Sequence, residues 1–305
     1  MKAAVIGAGH MGRYHAQKLA RLTELVGVVD ADPARARELT EKVGGAALSD
    51  YRELFGKADA AVIAVPTDRH HAIARECLEH GLHLLIEKPI ATTLAEADEL
   101  IALAEKKRVV LQTGHVERYN RSFRALAERM DRPVFVEAER LAAFKQRGAE
   151  VDVVLDLMIH DLDLACALAR AEPTNVSATG FRVLTRDIDI ANARIEFANG
   201  FVANLSASRV SQAAVRKLRV FQQDLYVSAD LQTGKLHYVG QRDGAIEVKD
   251  ETHEGGDALA DQAAAFVSAI EKHSAVPVDG RQGRRVLDLA LTVGRLVRER
   301  LERFK

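Results

Sequence analysis

Lys88 is the first residue of this chain whose position suggests chemistry. It follows the apolar run Leu84–Ile86 and Glu87, and it precedes Pro89. Because proline restricts the residue before it to extended conformations, the lysine side chain can be aimed. An ammonium group held in this way can polarise a hydroxyl or accept its proton. The alternative interpretation is a solvated charge pair in a surface turn.

A second polar group lies in the stretch DLMIHDLD, which begins at Asp156. On a helix, Asp156, His160 and Asp163 fall at i, i+4 and i+7 and share one face, although apolar residues surround them. Such polar groups destabilise an apolar helix unless they pair or line a cleft. Histidine has an ordinary pKa of ~6.5, which suits proton transfer near neutral pH. A self-satisfied His–Asp pair in the core is the alternative, and the missing second histidine disfavours a metal site.

A glycine-rich turn, Gly7-Ala8-Gly9-His10-Met11-Gly12, comes directly after the first apolar run. The first glycine permits the turn, the second lets the backbone approach a pyrophosphate, and the third allows a helix to pack closely on the strand. The N-terminus of that helix would attract the phosphates. This context predicts a dinucleotide site, with a purely structural turn as the alternative.

Asp30 closes the second apolar run, where a carboxylate can bind the hydroxyls of the adenosine ribose. Its charge would repel a 2′-phosphate, so the predicted cofactor is NAD. Arg35 and Arg37 lie close enough in sequence to keep NADP open.

The segment Val65-Pro66-Thr67 ends another strand at the same crevice. We expect Thr67 first to cap the next helix and only secondarily to contact the cofactor. Of His70 and His71, one is expected to be an imidazole on the helix surface. The predicted cofactor-binding residues are Gly7, Gly9, His10, Met11, Gly12, Asp30, Pro66, Thr67, Glu87 and Lys88.

Short apolar runs alternate with helical patterns up to about residue 118. The runs are too short for helices and are bounded by glycine, proline or charge, as is typical of strands buried on both faces. Asp32-Pro33 and Thr93–Glu96 mark helix starts, the first by an N-cap with a first-turn proline and the second by a capping box. The alternation predicts an α/β fold with a doubly wound parallel Rossmann sheet over residues 1–118.

The pattern changes after residue 120. Two helical stretches precede a series of strands that starts near Asn175, and an amphipathic helical tail starts near Asp257. Asn199-Gly200 stands between two alternating runs and predicts a two-residue hairpin. We therefore expect residues 119–305 to form an α+β domain with a mainly antiparallel sheet.

The charge balance excludes several classes of partner. The 305 residues carry 43 basic and 44 acidic side chains, so a net charge of −1 gives no basis for binding nucleic acid or an anionic membrane. No stretch approaches the ~20 apolar residues of a membrane span, and the N-terminal apolar run ends at glycines without a cleavage site. Cys77 and Cys166 lie in apolar helical patterns and are expected to be reduced core thiols. These features predict a cytoplasmic protein.

Four motifs together resemble the glucose–fructose oxidoreductase/inositol dehydrogenase (Gfo/Idh/MocA) family over essentially the whole chain. They are GAGHMG after the first strand, AVPTDRHH, EKPIA, and the D-x-x-x-H of Asp156 and His160. The resemblance implies a Rossmann domain and an open-faced C-terminal sheet that forms a homodimer or homotetramer. It also implies that Lys88, Asp156 and His160 are catalytic and meet at the nicotinamide, with His160 as the general acid/base and Lys88 stabilising an alkoxide-like oxygen.

Within the family, GHVERYNRSFRAL, DLMIHDLDL and SRVSQAAVRKLRVFQ look most like the UDP-N-acetylglucosamine 3-dehydrogenases. This implies NAD-dependent oxidation of a secondary sugar hydroxyl, with C3 of UDP-N-acetylglucosamine preferred. The expected substrate-binding residues are Arg118, Tyr119, Asn120, Asp156 and His160, with Arg209, Arg216 and Lys217 as possible diphosphate contacts. For Arg118 and Asn120, interdomain packing stays open, and the other three suit solvated sheet-edge charges equally.

Three other functions remain open at this point. A polyol dehydrogenase acting on an inositol or aldose would use the same chemistry. A redox sensor would need only the dinucleotide turn, so the presence of Lys88, Asp156 and His160 argues against it. An imine or pyrrole reductase would have little need for the Asp156–His160 pair.

Overall fold

The structure is a computed structural model that describes residues 1–144, 151–242 and 244–303. The chain divides into two compact units. The first comprises Met1–Val116 and Asp257–Leu287, and the second comprises Glu117–Gly256 and Asp288–Lys305. The predicted division into residues 1–118 and 119–305 therefore differs from the structure in the C-terminal part of the chain.

The helix α7 (Ala258–Lys272) explains this difference. It packs against α1 (His10–Leu22), and its Phe266 and Val267 join a buried cluster that also contains Leu19 and Val28. The amphipathic pattern of α7 was visible in the sequence, but the apolar surface that it covers belongs to the first unit. Burying that surface stabilises the Rossmann unit by the hydrophobic effect.

The first unit is built on a six-stranded parallel sheet in the order β3-β2-β1-β4-β5-β6. Its strands are β1 (Lys2–Ile6), β2 (Glu24–Val29), β3 (Ala46–Leu48), β4 (Ala60–Ile63), β5 (His83–Glu87) and β6 (Leu111–Gly114). Residues on both faces of β4 are fully buried, as the apolar runs predicted. The short edge strand β3 was not predicted, because its alanines carry little strand signal.

Six helices lie wholly or partly in the described part of the first unit. They are α1, α2 (Pro33–Val43), α3 (His70–Glu79), α4 (Leu94–Lys107), α7 and the first part of α8 (Gly280–Glu302). Asp32 caps α2 through the N–H of Ala34, and Thr93 forms the predicted capping box with Glu96. Thr67 differs from its prediction, because it opens a 3₁₀ turn and caps no helix with its side chain.

The second unit is built on an eight-stranded sheet in the order β14-β13-β12-β11-β7-β10-β9-β8. Only β7 and β10 pair in parallel, so the sheet is mainly antiparallel, as predicted, among the described residues. The strands are β7 (Phe135–Leu141), β8 (Pro173–Phe181), β9 (Ile190–Phe197), β10 (Val202–Ser208), β11 (Val215–Gln222), β12 (Leu225–Asp230), β13 (Lys235–Arg242) and β14 (Ala245–Thr252).

Turns in this sheet differ in detail from the prediction. The hairpin at Asn199-Gly200 joins β9 to β10, but four residues separate the strands, and only Gly200 has a positive φ, +85°. A two-residue type I′ turn needs positive φ at both central residues, so the turn is a longer one. The run KLRVFQQDLYVSADL, residues 217–231, is itself a hairpin of β11 and β12. The strands are separated at Asp224, whose φ is +58°.

The remaining helices are α5 (Arg121–Arg129) and α6 (Ile159–Ala169), and α6 continues directly from a π-helical turn over Val154–Met158. Cys77 and Cys166 are buried, as predicted. In the described part of the chain, no helix is both long enough and apolar enough to span a membrane.

Candidate active site

The glycine-rich turn has the geometry that a dinucleotide requires. Gly7 has a φ of +103°, and a Cβ there would lie 2.6 Å from the carbonyl oxygen of Ala64. A Cβ at Gly12 would lie 1.6 Å from the Gly7 oxygen, so this glycine is needed for close packing of α1 on the turn. A Cβ at Gly9, by contrast, would meet no atom within 4 Å. The second glycine therefore leaves open space beside the helix N-terminus, which is where a pyrophosphate fits.

Two non-glycine residues of the turn, His10 and Met11, form the start of α1. The His10 ring is exposed, and its Nδ1 lies 2.8 Å from Nη2 of Arg13, while Met11 is half-buried. Both are therefore accessible at the end of the helix that faces the open space at Gly9.

Asp30 is tied to the glycine-rich turn. Its Oδ2 accepts the backbone N–H of Ala8 at 2.7 Å, and its Oδ1 accepts that of Asp32 at 2.9 Å. These bonds fix the carboxylate at the end of β2, where it lines a cavity of about 610 Å³. Arg35 lines the same cavity and pairs with Asp32 at 3.4 Å. The cavity thus contains both the acidic group that suits NAD and one of the basic groups that kept NADP open.

The opposite wall of this cavity comes from the end of β4. Val65 and Pro66 line it together with Gly7 and Gly9. The exposed Pro66 and the half-buried Thr67 follow the strand end as the sequence predicted. A glycine cradle closed to side chains, an open helix N-terminus and a carboxylate on the second strand together fit a bound dinucleotide.

Lys88 lies at the carboxyl end of β5 and is half-buried, and its peptide bond to Pro89 is cis. The preceding carboxylate holds its main chain: Glu87 Oε2 accepts the Lys88 N–H at 3.3 Å. The other oxygen, Oε1, lies 2.6 Å from Nε2 of His15, a residue of α1 that is completely buried. Glu87, predicted as a cofactor contact, thus has hydrogen bonds within the protein that the sequence did not predict.

His70 is the buried member of the histidine pair. Its Nδ1 lies 2.9 Å from the carbonyl oxygen of Pro89, and its Nε2 lies 2.9 Å from that of Val65. Burial lowers the pKa of His70, although both carbonyl contacts act in the opposite direction. His71 is the surface imidazole that the sequence anticipated, and it pairs with Glu99 at 2.9 Å.

In the second unit, Asp156 lies in the π-helical turn and His160 in the first turn of α6. Both side chains are half-buried. The predicted i, i+4, i+7 stripe assumed one regular α-helix. A π-turn has i→i+5 bonds and therefore a different angular spacing, so the predicted spacing of Asp156 and His160 is wrong. Such turns are frequent at functional sites.

The third member of the stripe, Asp163, lies three residues after His160 in α6 and is buried. Its Oδ1 accepts from Nη1 of Arg118 at 3.2 Å, and 1% of the Asp163 side chain is exposed. Burial outweighs this ion pair and raises the pKa of Asp163 to about 7. The charged nitrogen of Arg118, predicted to bind substrate, is thus engaged by a carboxylate of its own unit.

A second ion-pair cluster neutralises the remaining aspartate of the segment. Asp161 accepts two bonds from Arg140, at 3.0 and 2.8 Å, and Arg140 also donates to Glu117 at 2.8 Å. All three groups are buried. Burial raises the pKa of Asp161, against the opposing effect of Arg140. Burial by itself would lower the pKa of Arg140, but the two carboxylates raise it overall.

Tyr119 and Asn120, the other predicted substrate contacts, lie in the interior of the second unit. Tyr119 is 4% exposed, and burial raises the pKa of its hydroxyl. Asn120 caps α5 by accepting from the N–H groups of Ser122 and Phe123, and it donates to the carbonyl of Leu231 at 2.9 Å. The Asn120 amide is thus engaged within its own unit, whereas the buried Tyr119 hydroxyl has no hydrogen-bond partner in the described part of the chain.

The three basic residues considered for a diphosphate lie in different environments. Arg209 is buried and donates to the carbonyl of Val151. Arg216 is half-exposed and lies 3.5 Å from Glu117, while Lys217 pairs in register with Glu139 of the neighbouring strand. Arg216 and Lys217 line one cavity of about 550 Å³, whereas Arg209 is engaged elsewhere, with the carbonyl of Val151.

Sequence reasoning missed His15, Arg140 and the contacts of His70 with two backbone carbonyls. A signal existed for the first two. His15 lies on the apolar face of α1 with Ala16 and Leu19, and Arg140 falls on the buried alternation of β7. A polar residue at a core position needs a partner. Within the described residues, no group of three or more histidine, cysteine or acidic side chains could hold a metal ion.

Comparison with protein families matches both parts of the chain. Residues 1–115 match the GFO_IDH_MocA model, described as an oxidoreductase family with an NAD-binding Rossmann fold. Residues 125–224 match the GFO/IDH/MocA C-terminal domain.

Individual relatives agree with these matches. UDP-N-acetylglucosamine 3-dehydrogenase of Acidithiobacillus ferrooxidans is 41% identical over 99% of each chain, and its solved structure superposes with a TM-score of 0.93 over 97% of each. Myo-inositol 2-dehydrogenase of Thermotoga maritima is 24% identical over 99% of this chain and 96% of that one. Scyllo-inositol dehydrogenase of Lactobacillus casei, solved with NAD(H), shares the fold at 17% identity, with a TM-score of 0.84 over 98% and 97% of the two chains. The chain belongs to the Gfo/Idh/MocA family of oxidoreductases, whose cofactor is NAD.

Proposed function

We propose that the protein oxidises the C3 hydroxyl of UDP-N-acetylglucosamine to a ketone. The observation that carries this proposal is the 41% identity over 99% of both chains to a relative with that activity in its name. A second observation is consistent with it: the chain has Lys88, Asp156 and His160, the residues to which the family resemblance assigns alcohol oxidation.

The residue roles in this proposal follow the chemistry of alcohol oxidation. Two bonds break at the substrate, the O–H bond and the C–H bond, and a carbonyl forms. His160 takes the hydroxyl proton, with Asp156 as its acidic neighbour in the π-turn. Lys88 stabilises the negative charge that develops on the oxygen. A bound NAD would supply the acceptor for the hydride that leaves the carbon.

A substrate panel tests the proposal directly. NADH formation would be measured with UDP-N-acetylglucosamine, free N-acetylglucosamine and myo-inositol, each with NAD. We expect turnover mainly with the nucleotide sugar and a primary isotope effect when its C3 hydrogen is replaced by deuterium. Faster turnover with myo-inositol would instead favour the second candidate, a polyol dehydrogenase, which the full-length match to the Thermotoga enzyme supports. NAD binding without turnover of any sugar would favour a sensor.

Assembly through the second sheet and a cytoplasmic location are part of the same proposal. The strand β14 carries Ile246 and Val248 with 77% and 60% of their surface exposed, which suits an interface. The two cysteines, both buried, suit a reducing compartment. Light scattering after size exclusion would show a dimer or tetramer, which Ile246→Asp should weaken. A wild-type monomer at micromolar concentration would contradict this assembly.

A further inference from the structure

Two adjacent strands of the Rossmann sheet stop pairing just before the residues of interest. The register of β4 and β5 ends at Ile63 and Ile86. Beyond that point, β4 leads to Val65, at the wall of the cofactor cavity, and β5 leads to the Lys88–Pro89 turn. Something other than the strand ladder must therefore hold the turn against the end of β4.

The ring of His70 makes that connection. It bridges the carbonyls of Val65 and Pro89 at 2.9 Å each, and 1% of the residue is exposed. A neutral imidazole has one N–H, so it donates to one of these carbonyls at a time, and the planar ring keeps both within reach. Because both carbonyls lie just past the ladder, His70 extends the link between the strands by a side chain.

The other side of the turn is held independently. The carboxylate of Glu87 accepts the Lys88 N–H, and His15 holds that carboxylate from α1. The main chain of Lys88 is thus fixed before the residue by Glu87 and after it by His70. Neither contact involves the ammonium group itself, so both control where the Lys88 side chain starts.

We propose that His70 is a positioning residue, which sets the direction of the Lys88 side chain by fixing the turn to the end of β4. The inference rests on the proposed role of Lys88 in stabilising charge on the substrate oxygen. His70 itself contacts two backbone carbonyls and acts only through the turn. Loss of the bridge should therefore misplace the ammonium, and a displacement of about 1 Å can reduce turnover by about a hundredfold.

A double-mutant cycle separates this role from a structural one. The variants are His70→Ala, Lys88→Ala, the double variant, and His71→Ala as a matched control whose ring pairs with Glu99. We expect His70→Ala to lower kcat by about tenfold to a hundredfold. In the Lys88→Ala background the same substitution should change kcat by about twofold or less, because its effect passes through Lys88. His71→Ala should match the wild type.

A conservative variant and thermal melting guard against misfolding. His70→Gln keeps a donor and should recover part of the lost kcat, whereas a merely structural defect would lower Tm in step with activity. An equal fall in kcat from His70→Ala with and without Lys88 would overturn the inference and leave the role of Lys88 intact. If Lys88→Ala alone turned over like the wild type, the proposed role of Lys88 would fail instead. A His70→Ala variant indistinguishable from His71→Ala would also overturn it.

Discussion

Imidazole contacts hold the turn that carries Lys88, whereas buried arginine–carboxylate ion pairs hold the helix that carries His160. In the first unit, the supporting groups are imidazoles, backbone carbonyls and one carboxylate. In the second, Arg140 and Arg118 neutralise Asp161 and Asp163 immediately after His160. Removing one partner of a buried ion pair leaves a charge in the core, but removing a neutral donor does not. Loss of His70 should therefore mainly lower kcat, whereas loss of Arg140 or Arg118 should mainly lower the free energy of unfolding.

The largest expected effect comes from the two candidate catalytic groups themselves. Lys88→Ala and His160→Asn should each lower kcat by about 100- to 1,000-fold, since each removes a group that acts as charge moves in the reaction. Both side chains are half-buried, so the free energy of unfolding should change little. Steady-state kinetics, NAD titration and urea unfolding would measure these quantities.

A different result for either variant would contradict the proposed catalytic roles. Unchanged turnover in Lys88→Ala would remove that residue from the mechanism. A His160→Asn protein that lost its cooperative melting transition would indicate that His160 is a core residue.

The next effect concerns stability in the second unit. Arg140→Met should lower the free energy of unfolding by about 3–5 kcal/mol, because it leaves Asp161 and Glu117 buried without their shared cation. Burial already raises the pKa of Asp161, and loss of the Arg140 cation should raise it further. Stability in the variant should therefore fall as pH rises from 5 to 8, because the unfolded state has released the proton that the folded carboxyl retains.

Urea unfolding at both pH values would measure this loss. Arg194→Met is the matched control, since Arg194 lies on β9 in an exposed pair with Glu196 and should contribute about 1 kcal/mol or less. Equal losses for Arg140→Met and Arg194→Met would show that the buried cluster is not what stabilises this unit.

The second unit also contains a carboxylate, Asp189, that neutral donors hold instead of an arginine, which allows a comparison with Asp161. Asp189 is fully buried and accepts from the N–H groups of Val183, Leu184 and Thr185 and from the Thr185 hydroxyl. Burial opposes its ionisation, but these donors outweigh burial and lower the pKa from 3.8 to about 2. The stabilisation is therefore present above pH 3.8 and is lost as pH falls toward 2.

Asp189→Asn should accordingly lower the free energy of unfolding by about 2 kcal/mol at pH 7. Chemical denaturation from pH 7 to pH 2 would show the difference from the wild type shrinking as the pH falls. Asp187→Asn, in the same loop, is the control, because main-chain atoms make its hydrogen bonds to Thr185. A difference that stayed constant with pH would contradict the assignment.

The smallest effect is expected at Asp30, a carboxylate of the first unit that is also held by backbone N–H groups. Asp30→Asn should relax the preference for NAD over NADP by about tenfold, because it removes the charge that repels a 2′-phosphate. The ratio of kcat/KM for the two cofactors measures this, with Asp32→Asn as a neighbouring control. Wild-type enzyme that used NADP as well as NAD would show that Asp30 does not select the cofactor.

Most of the Rossmann unit could be predicted because its signals are local. The glycine-rich turn, the N-cap at Asp32 and the capping box at Thr93 each lie within a few residues, and the structure confirms all three. The order of the four family motifs likewise predicted the family, which the comparisons confirm. The regular helical spacing from Asp156 to His160 failed because a π-turn occupies the position of Asp156.

The sequence by itself determined the Rossmann strands, their cofactor turn and the position of Lys88 at a strand end, since short-range periodicity and turn residues specify these features. Only the tertiary structure decided that α7 completes the first unit, that His70 bridges two strand ends, and that Arg140 reaches Asp161. The physical reason is distance along the chain. A buried apolar face or a buried charge must find a partner, but one sequence contains many candidates, and packing selects among them.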